Sequence, residues 1–158
     1  MIRNEALNEY NIAQPFFRRL VTAVHQCQLM GVYHRDLKEA NILINETTGT
    51  PYLIDFGCAA LTTDSPYYDV AGSEGYLPPE LISADVCCYE GEPAAVYTLG
   101  VILKDMVLGI FPHVEYDPEE ISDYVTWQCL DLIDAMLEEC PNDRPTLEEI
   151  LQHSWLNE

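Results

Sequence analysis

Three polar residues beside short apolar runs carry the first chemical signal in this 158-residue chain. Asp36 and Asn41 stand in His34-Arg35-Asp36-Leu37-Lys38-Glu39-Ala40-Asn41, followed at once by Ile42-Leu43-Ile44. Fourteen residues beyond Asn41 comes Asp55-Phe56-Gly57. An Asp can accept a hydroxyl proton, an Asn and an Asp can hold magnesium, and Lys38 can approach a transferred phosphate. Phosphoryl transfer needs positioning and charge neutralisation more than covalent chemistry, so carboxylates, an amide and an ammonium suffice.

The elements that must position these groups are legible at low resolution. Residues 11–30 read as a helix. Asn11 followed by Gln14 has the form of a capping box, and Ile12, Phe16, Leu20, Val24 and Cys27 repeat near 3.6. Pro15 falls in the first turn, where it is tolerated, and Gly31 ends the helix. Val32-Tyr33-His34, Ile42-Leu43-Ile44 and Tyr52-Leu53-Ile54 are strand-like runs. The turn at Glu46-Thr47-Thr48-Gly49-Thr50 makes the last two a hairpin, which aims Asp36, Asn41 and Asp55 out of its ends. Residues 57–79 show neither helical nor strand period, and a loop of that length is usually functional or disordered. Residues 94–108 are apolar nearly all round, the mark of a buried helix, closed by Gly109. An amphipathic helix is expected at 127–139, through Leu130, Ile133, Met136 and Leu137. Thr146 and Glu149 form a second capping box opening a last helix to about Trp155. The expected fold is mainly α with one small β-hairpin.

Composition narrows the partners. Lys and Arg number 7 against 27 Asp and Glu, a net charge of −20. Gripping a nucleic-acid backbone needs a basic face, as does binding an anionic membrane surface, so neither is expected. Residues 51–158 hold only Lys104 and Arg144 against 22 acids. Such a surface steers cationic partners or simply keeps the chain soluble. No run of eighteen apolar residues occurs, and Met1–Glu5 carries no leader core. Cys27, Cys58, Cys87, Cys88, Cys129 and Cys140 include no Cys-x-x-Cys pair, and His25, His34, His113 and His153 do not cluster with them. Reduced thiols, no zinc site and a cytoplasmic location, with the nucleus as a second compartment, are expected.

These motifs resemble those of protein kinases. His-Arg-Asp-Leu-Lys-x-x-Asn (34–41) and Asp-Phe-Gly (55–57) have the order and interval of the kinase catalytic and magnesium loops. Gly72 to Glu80 looks like the end of an activation segment, here 55–80, with Pro78-Pro79-Glu80 where most kinases have Ala-Pro-Glu. Asp143-Arg144-Pro145-Thr146 resembles the late motif whose Arg pairs with that Glu. The chain is more closely similar to the PIM family of serine/threonine kinases. Pro-Pro-Glu, Glu92 to Leu103 with Ala95 where most kinases carry Asp, Asp105-Met106-Val107, Phe16-Phe17 and Gly31-Val32 all fit that pattern, from about residue 2 to the C-terminus.

The resemblance implies ATP-dependent phosphorylation of Ser or Thr on protein substrates by a monomer, with ATP and Mg2+. Asp36 would be the proton acceptor and Lys38 the contact to the transferred phosphate. Asn41 and Asp55 would bind magnesium, and Leu43 and Ile54 would floor the adenine. Ser73 stands where kinases carry a Thr that bonds the catalytic Asp and Lys. His34 and Phe56 would stack, with Gly57 completing their loop, and Glu80 and Arg144 would form a buried ion pair. PIM kinases are active without loop phosphorylation. By that resemblance Arg35 is expected to find a backbone acceptor or one of Asp64, Asp69 and Glu74.

Two departures qualify this. The eight glycines include no Gly-x-Gly, and Lys38 and Lys104 are the only lysines. A complete kinase needs a Gly-rich loop and a strand Lys. Residues 1–158 are therefore expected to be a partial kinase domain, the C-lobe without its N-lobe sheet, inactive in isolation. The alternative is a catalytically silent module that binds basic peptides. Ala40 stands where basophilic kinases often carry a Glu for a substrate Arg. Glu39 and the acidic surface keep basic, Arg-rich substrates as the expectation.

Overall fold

The computed structural model describes residues 12–83, 88–109 and 125–157. Asn11, Cys87 and His113 lie outside them, so the first expected cap falls on an undescribed residue. Helix α1 spans Gln14–Leu29 with Pro15 in its first turn, where a missing N–H breaks no helical bond. Its buried stripe is Phe17, Leu20, Val21 and Val24. Ile12 is exposed and Phe16 half-buried, so the stripe is rotated from the predicted one; the sequence supports both phases of the same period. Gln14 donates to the Trp155 carbonyl. Gly31, at φ +86°, turns the chain back.

Strands β1 (Val32–Tyr33), β2 (Ile42–Ile44) and β3 (Pro51–Leu53) follow. The hairpin forms in the register Ile42↔Leu53, Leu43↔Tyr52, Ile44↔Pro51, one residue earlier on its second strand than predicted. The Asn45 side chain shapes its turn by accepting from the Thr47 and Thr48 N–H groups, a local alternative to ladder bonding that Asn favours. A second antiparallel ladder was not foreseen. Strand β4 (Ala60–Leu61) pairs with β1 inside the stretch expected to be structureless. Two residues per strand are too few to show a period.

Helix α2 is a single turn, Pro79–Ile82. Helix α3 spans Gly91–Leu108, three residues longer at its start than expected, and Gly109 closes it at φ +61°. It buries residues on every side, including Val96, Leu99, Ile102, Leu103 and Val107. Helix α4, Trp127–Met136, is capped by Thr126, whose hydroxyl accepts from the Cys129 N–H. It stops at Met136, short of the expected 139, and beyond it the Glu138 and Glu139 carbonyls accept from Arg144. The last helix is two pieces, α5 (Leu147–Gln152) and α6 (Ser154–Asn157), separated at His153, whose backbone is extended. The Thr146–Glu149 capping box is present in both directions.

One core joins α1, α3, α4, α5 and α6, with Trp155, Phe17, Leu99, Ile133 and Ile150 fully buried. Gly100 lets α3 and α4 approach closely: a Cβ there would stand 2.9 Å from Met136 Cβ. The hairpin lies on α1, and the segment between β1 and β2 carries Asp36 and Lys38. Among the described residues no helix is long and apolar enough to cross a membrane.

Candidate active site

Asp36 is buried at the centre of a polar knot. Its Oδ2 accepts from Lys38 Nζ at 2.9 Å and from Asn41 Nδ2 at 3.0 Å, and its Oδ1 accepts from Ser73 Oγ at 2.7 Å. Lys38 Nζ also donates to Ser73 Oγ at 2.6 Å. Burial alone would raise the Asp36 carboxyl. The hydrogen bonds from Lys38 and Ser73, the Lys38 charge and the Asn41 amide outweigh it and hold the group below the usual carboxylate range. Asp36 is thus an anion at neutral pH. The contact implied for Ser73 closes across 37 residues of sequence, joining two loops no periodicity connects.

Asn41 is buried and spends its N–H groups on the Asp36 carbonyl and carboxylate. That leaves its side-chain Oδ1 as an acceptor. Ile54 N–H donates to the Asn41 backbone carbonyl at 3.0 Å, so the ladder continues one pair past Ile42↔Leu53. Asp55 therefore leaves the same end of the hairpin as Asn41. It is exposed, sits at φ +60°, and accepts from the Gly57 N–H at 3.3 Å. A carbonyl and a carboxylate are hard oxygen donors that suit magnesium, which fills its shell with water and phosphate oxygens. Among the described residues no group of three His, Cys, Asp or Glu forms a self-sufficient metal cage.

His34 Nδ1 accepts from the Asp36 N–H at 3.3 Å, which puts the ring proton on Nε2, donated to the Ile54 carbonyl at 2.9 Å. Its ring meets Phe56 at 4.7 Å between centroids but inclined at 58°, a tilted contact in place of the expected stack. Leu43 faces outward beside its partner Tyr52, both more than half exposed, while Ile54 is half-buried.

Arg35 adopts φ +62°, which side-chain-bearing residues rarely occupy. Its Nε donates to the Cys58 carbonyl at 2.7 Å, and its Nη1 reaches both Asp69 oxygens at 2.9 Å and the Tyr89 hydroxyl at 3.2 Å. Asp69 is one of the three acids named for this role. Arg144 and Glu80 form a two-pronged pair at 2.7 and 2.8 Å.

Two features escaped sequence reasoning. Tyr67 and Tyr89 approach Arg35 from segments 32 and 54 residues away, and nothing in their local pattern marks them. Glu39 is hydrogen-bonded to Asp105 of α3. That bond, then burial, then the Asp105 charge push the Glu39 carboxyl up to about 7.

Residues 1–156 match the protein kinase domain family. The chain is 40% identical over 159 residues to the serine/threonine-protein kinase pim-2 of Danio rerio, covering 97% of this chain and 50% of that protein. It is 36% identical over 166 residues to the serine/threonine-protein kinase prk-2 of Caenorhabditis elegans, covering 99% and 37%. It is 34% identical over 174 residues to the human SNF-related serine/threonine-protein kinase, covering 99% and 22%. The chain thus spans half the length or less of these relatives. With a match of that extent over a site of this composition, the chain belongs to the protein kinase domain family.

Proposed function

We propose that this protein takes part in transfer of the γ-phosphoryl group of ATP to Ser or Thr side chains of protein substrates. The observation that carries it is the closed triangle of Asp36, Lys38 and Ser73, with Asn41 locked onto the same carboxylate. In this reading the substrate hydroxyl gives its proton to Asp36, its oxygen bonds to the γ-phosphorus, and the bond to the β-phosphate oxygen breaks, releasing ADP. Lys38 neutralises charge on the moving phosphoryl group. Asn41 and Asp55 hold Mg2+, the ion that a kinase domain typically uses with ATP, which screens the phosphate charges when bound. The described residues correspond to the C-lobe, and Leu43 with Ile54 supplies the floor for adenine.

Substrate preference follows from charge. The net charge of −20 and the Glu39–Asp105 pair favour basic, Arg-rich peptides. A guanidinium placed between those carboxyls would favour the ionised Glu39 and pair with both. Activity without loop phosphorylation is supported by Arg35, which already pairs with Asp69 in the unmodified chain.

The test is phosphate transfer from labelled ATP to an Arg-rich Ser peptide by the protein as its gene encodes it, wild type against Asp36→Asn. The variant is expected to lose about 10²–10⁴-fold in turnover with an unchanged circular dichroism spectrum. Equal turnover by the two proteins would overturn the assignment of Asp36. Phosphatase treatment is expected to leave the wild-type rate unchanged, and a large loss would show that the loop needs a phosphate.

A further inference from the structure

Arg35 raises a mechanical question. A left-handed backbone at a non-glycine residue is strained and persists only where its surroundings over-determine it. Arg35 directly precedes Asp36, so whatever holds Arg35 also places the carboxylate. The Cys58 carbonyl and Asp69 account for part of the restraint. Asp69 is 67% exposed, and a solvated carboxylate is a weak anchor by itself.

The remaining contacts are aromatic. The Arg35 guanidinium lies over the Tyr67 ring with Cζ 5.4 Å from its centroid, within the range of a cation–π contact. The Tyr89 hydroxyl accepts from Arg35 Nη1 at 3.2 Å. Tyr67 and Tyr89 are tied by a backbone bridge, with N–H to carbonyl distances of 2.8 and 3.0 Å. Their rings pack at 5.5 Å, and Tyr33 meets Tyr67 edge-on at 6.3 Å. The Tyr67 hydroxyl fastens to the Leu61 carbonyl at 2.6 Å, which ties the cluster to β4 and so to β1. Tyr89 is buried two residues before α3, so the assembly is anchored at the start of that helix. Three separate segments thus converge on one side chain.

We propose that Tyr67 and Tyr89 are positioning residues for the phosphate-transfer site. They form a cation–aromatic clamp that fixes the Arg35 guanidinium and, through the left-handed turn, the Asp36 carboxylate. The inference deepens the functional reading above and rests on it for its catalytic meaning. Its structural content can be measured on this chain alone.

The experiment is amide hydrogen exchange on the 158-residue chain, following the Asp36 amide, which is bonded to His34 Nδ1, against amides of the α3 and α4 core. Tyr67→Leu removes the aromatic face and is expected to speed Asp36 exchange roughly tenfold, with core amides unchanged. Tyr67→Phe keeps the face and loses only the hydroxyl's bonds to Leu61 and Thr63, so Asp36 protection is expected within about twofold of wild type. Tyr89→Phe deletes one oxygen and is expected to speed Asp36 exchange about fivefold. Should Tyr67→Leu fail to fold, Tyr89→Phe alone decides. An Asp36 amide indifferent to every folded variant, or a Tyr67→Phe as damaging as Tyr67→Leu, would overturn the clamp. Asp36 exchange that responds as expected, beside an Asp36→Asn variant with undiminished transfer, rejects the functional reading and leaves the clamp standing.

Discussion

Two arginines hold the same type of partner in opposite surroundings. Arg144 has a side chain with 0% exposure, and its partner Glu80 has 8%. All five of its N–H donors are used. Two go to the Glu80 oxygens, and one each to the carbonyls of Glu138, Pro93 and Glu139. Arg35 has 12% side-chain exposure, but Asp69 has 67%, and the Tyr67 face with the Tyr89 hydroxyl completes its coordination. The first is a staple that joins α2, α3 and the turn before α5. The second is a catch on a surface loop. A buried, fully satisfied charge is costly to disturb, whereas a solvated one can let go and re-form. The staple therefore belongs to stability and the catch to control of the site.

The largest expected effect comes from breaking the staple. Arg144→Ala leaves Glu80 buried without its partner and frees three carbonyls, a loss of roughly 3–5 kcal/mol. Denaturant melts of the chain measure it, and a midpoint unmoved by the substitution would show that the pair is not the anchor its geometry suggests.

Gly91 tests whether staple and catch are mechanically linked. A Cβ there would fall 2.4 Å from the Tyr33 ring, which meets Tyr67 edge-on. Two residues along α3, the Pro93 carbonyl accepts from Arg144. Gly91→Ala is expected to cost about 1–3 kcal/mol through overpacking, and also to loosen the loop around Tyr67. Thermal melts and proteolysis of residues 62–72 read the two effects separately. A destabilised protein with an unaltered loop would show that the regions are independent.

This contrast also explains what the sequence could and could not convey. The staple was legible because Glu80 and Arg144 sit in motifs whose kinase resemblance pairs them, although they stand 64 residues apart. The hairpin, α3 and the Thr146–Glu149 box were legible because their signals are local: two short apolar runs around a turn, an all-round apolar run, and a three-residue cap spacing. Asp36, Lys38, Asn41 and Ser73 were named from motif order, and the structure brings those four into one hydrogen-bonded group. The two-residue ladder of β1 and β4 was not legible, since so short a pairing carries no period. Tyr67 and Tyr89 were also missed. A tyrosine that serves as an aromatic face has the same sequence signature as one that fills a core, and its partner is fixed only by the tertiary fold.

Opening the catch is expected to change mobility more than stability. Asp69→Asn removes the carboxylate charge from Arg35 but leaves the Cys58 carbonyl, the Tyr89 hydroxyl and the Tyr67 face in place. The midpoint of denaturation is expected to stay unchanged, while protease cleavage within residues 62–72 becomes faster. High salt should mimic the substitution in the wild type, because exposed pairs are screened at a Debye length of roughly 3 Å in 1 M salt. Wild-type cleavage rates that ignore salt would mean the aromatic contacts alone hold the loop.

The smallest effect concerns a carboxyl that faces an acid where Glu80 and Asp69 each face a guanidinium. Glu39 is hydrogen-bonded to Asp105, and its carboxyl is pushed up from the ordinary 4.5 to about 7. An acid whose folded value exceeds its unfolded one binds more protons in the folded state between the two. Its contribution is therefore complete below about 4.5 and is lost as pH rises toward about 7, levelling above. Glu39 is exposed, so solvent screening keeps the change modest. Glu39→Gln removes the titrating group but keeps a donor for Asp105, so the variant's melting temperature should vary less across that window than the wild type's. Parallel slopes for the two proteins would show that the Glu39–Asp105 contact does not share a proton in the folded chain, and that repulsion between the two carboxylates is relieved by solvent instead.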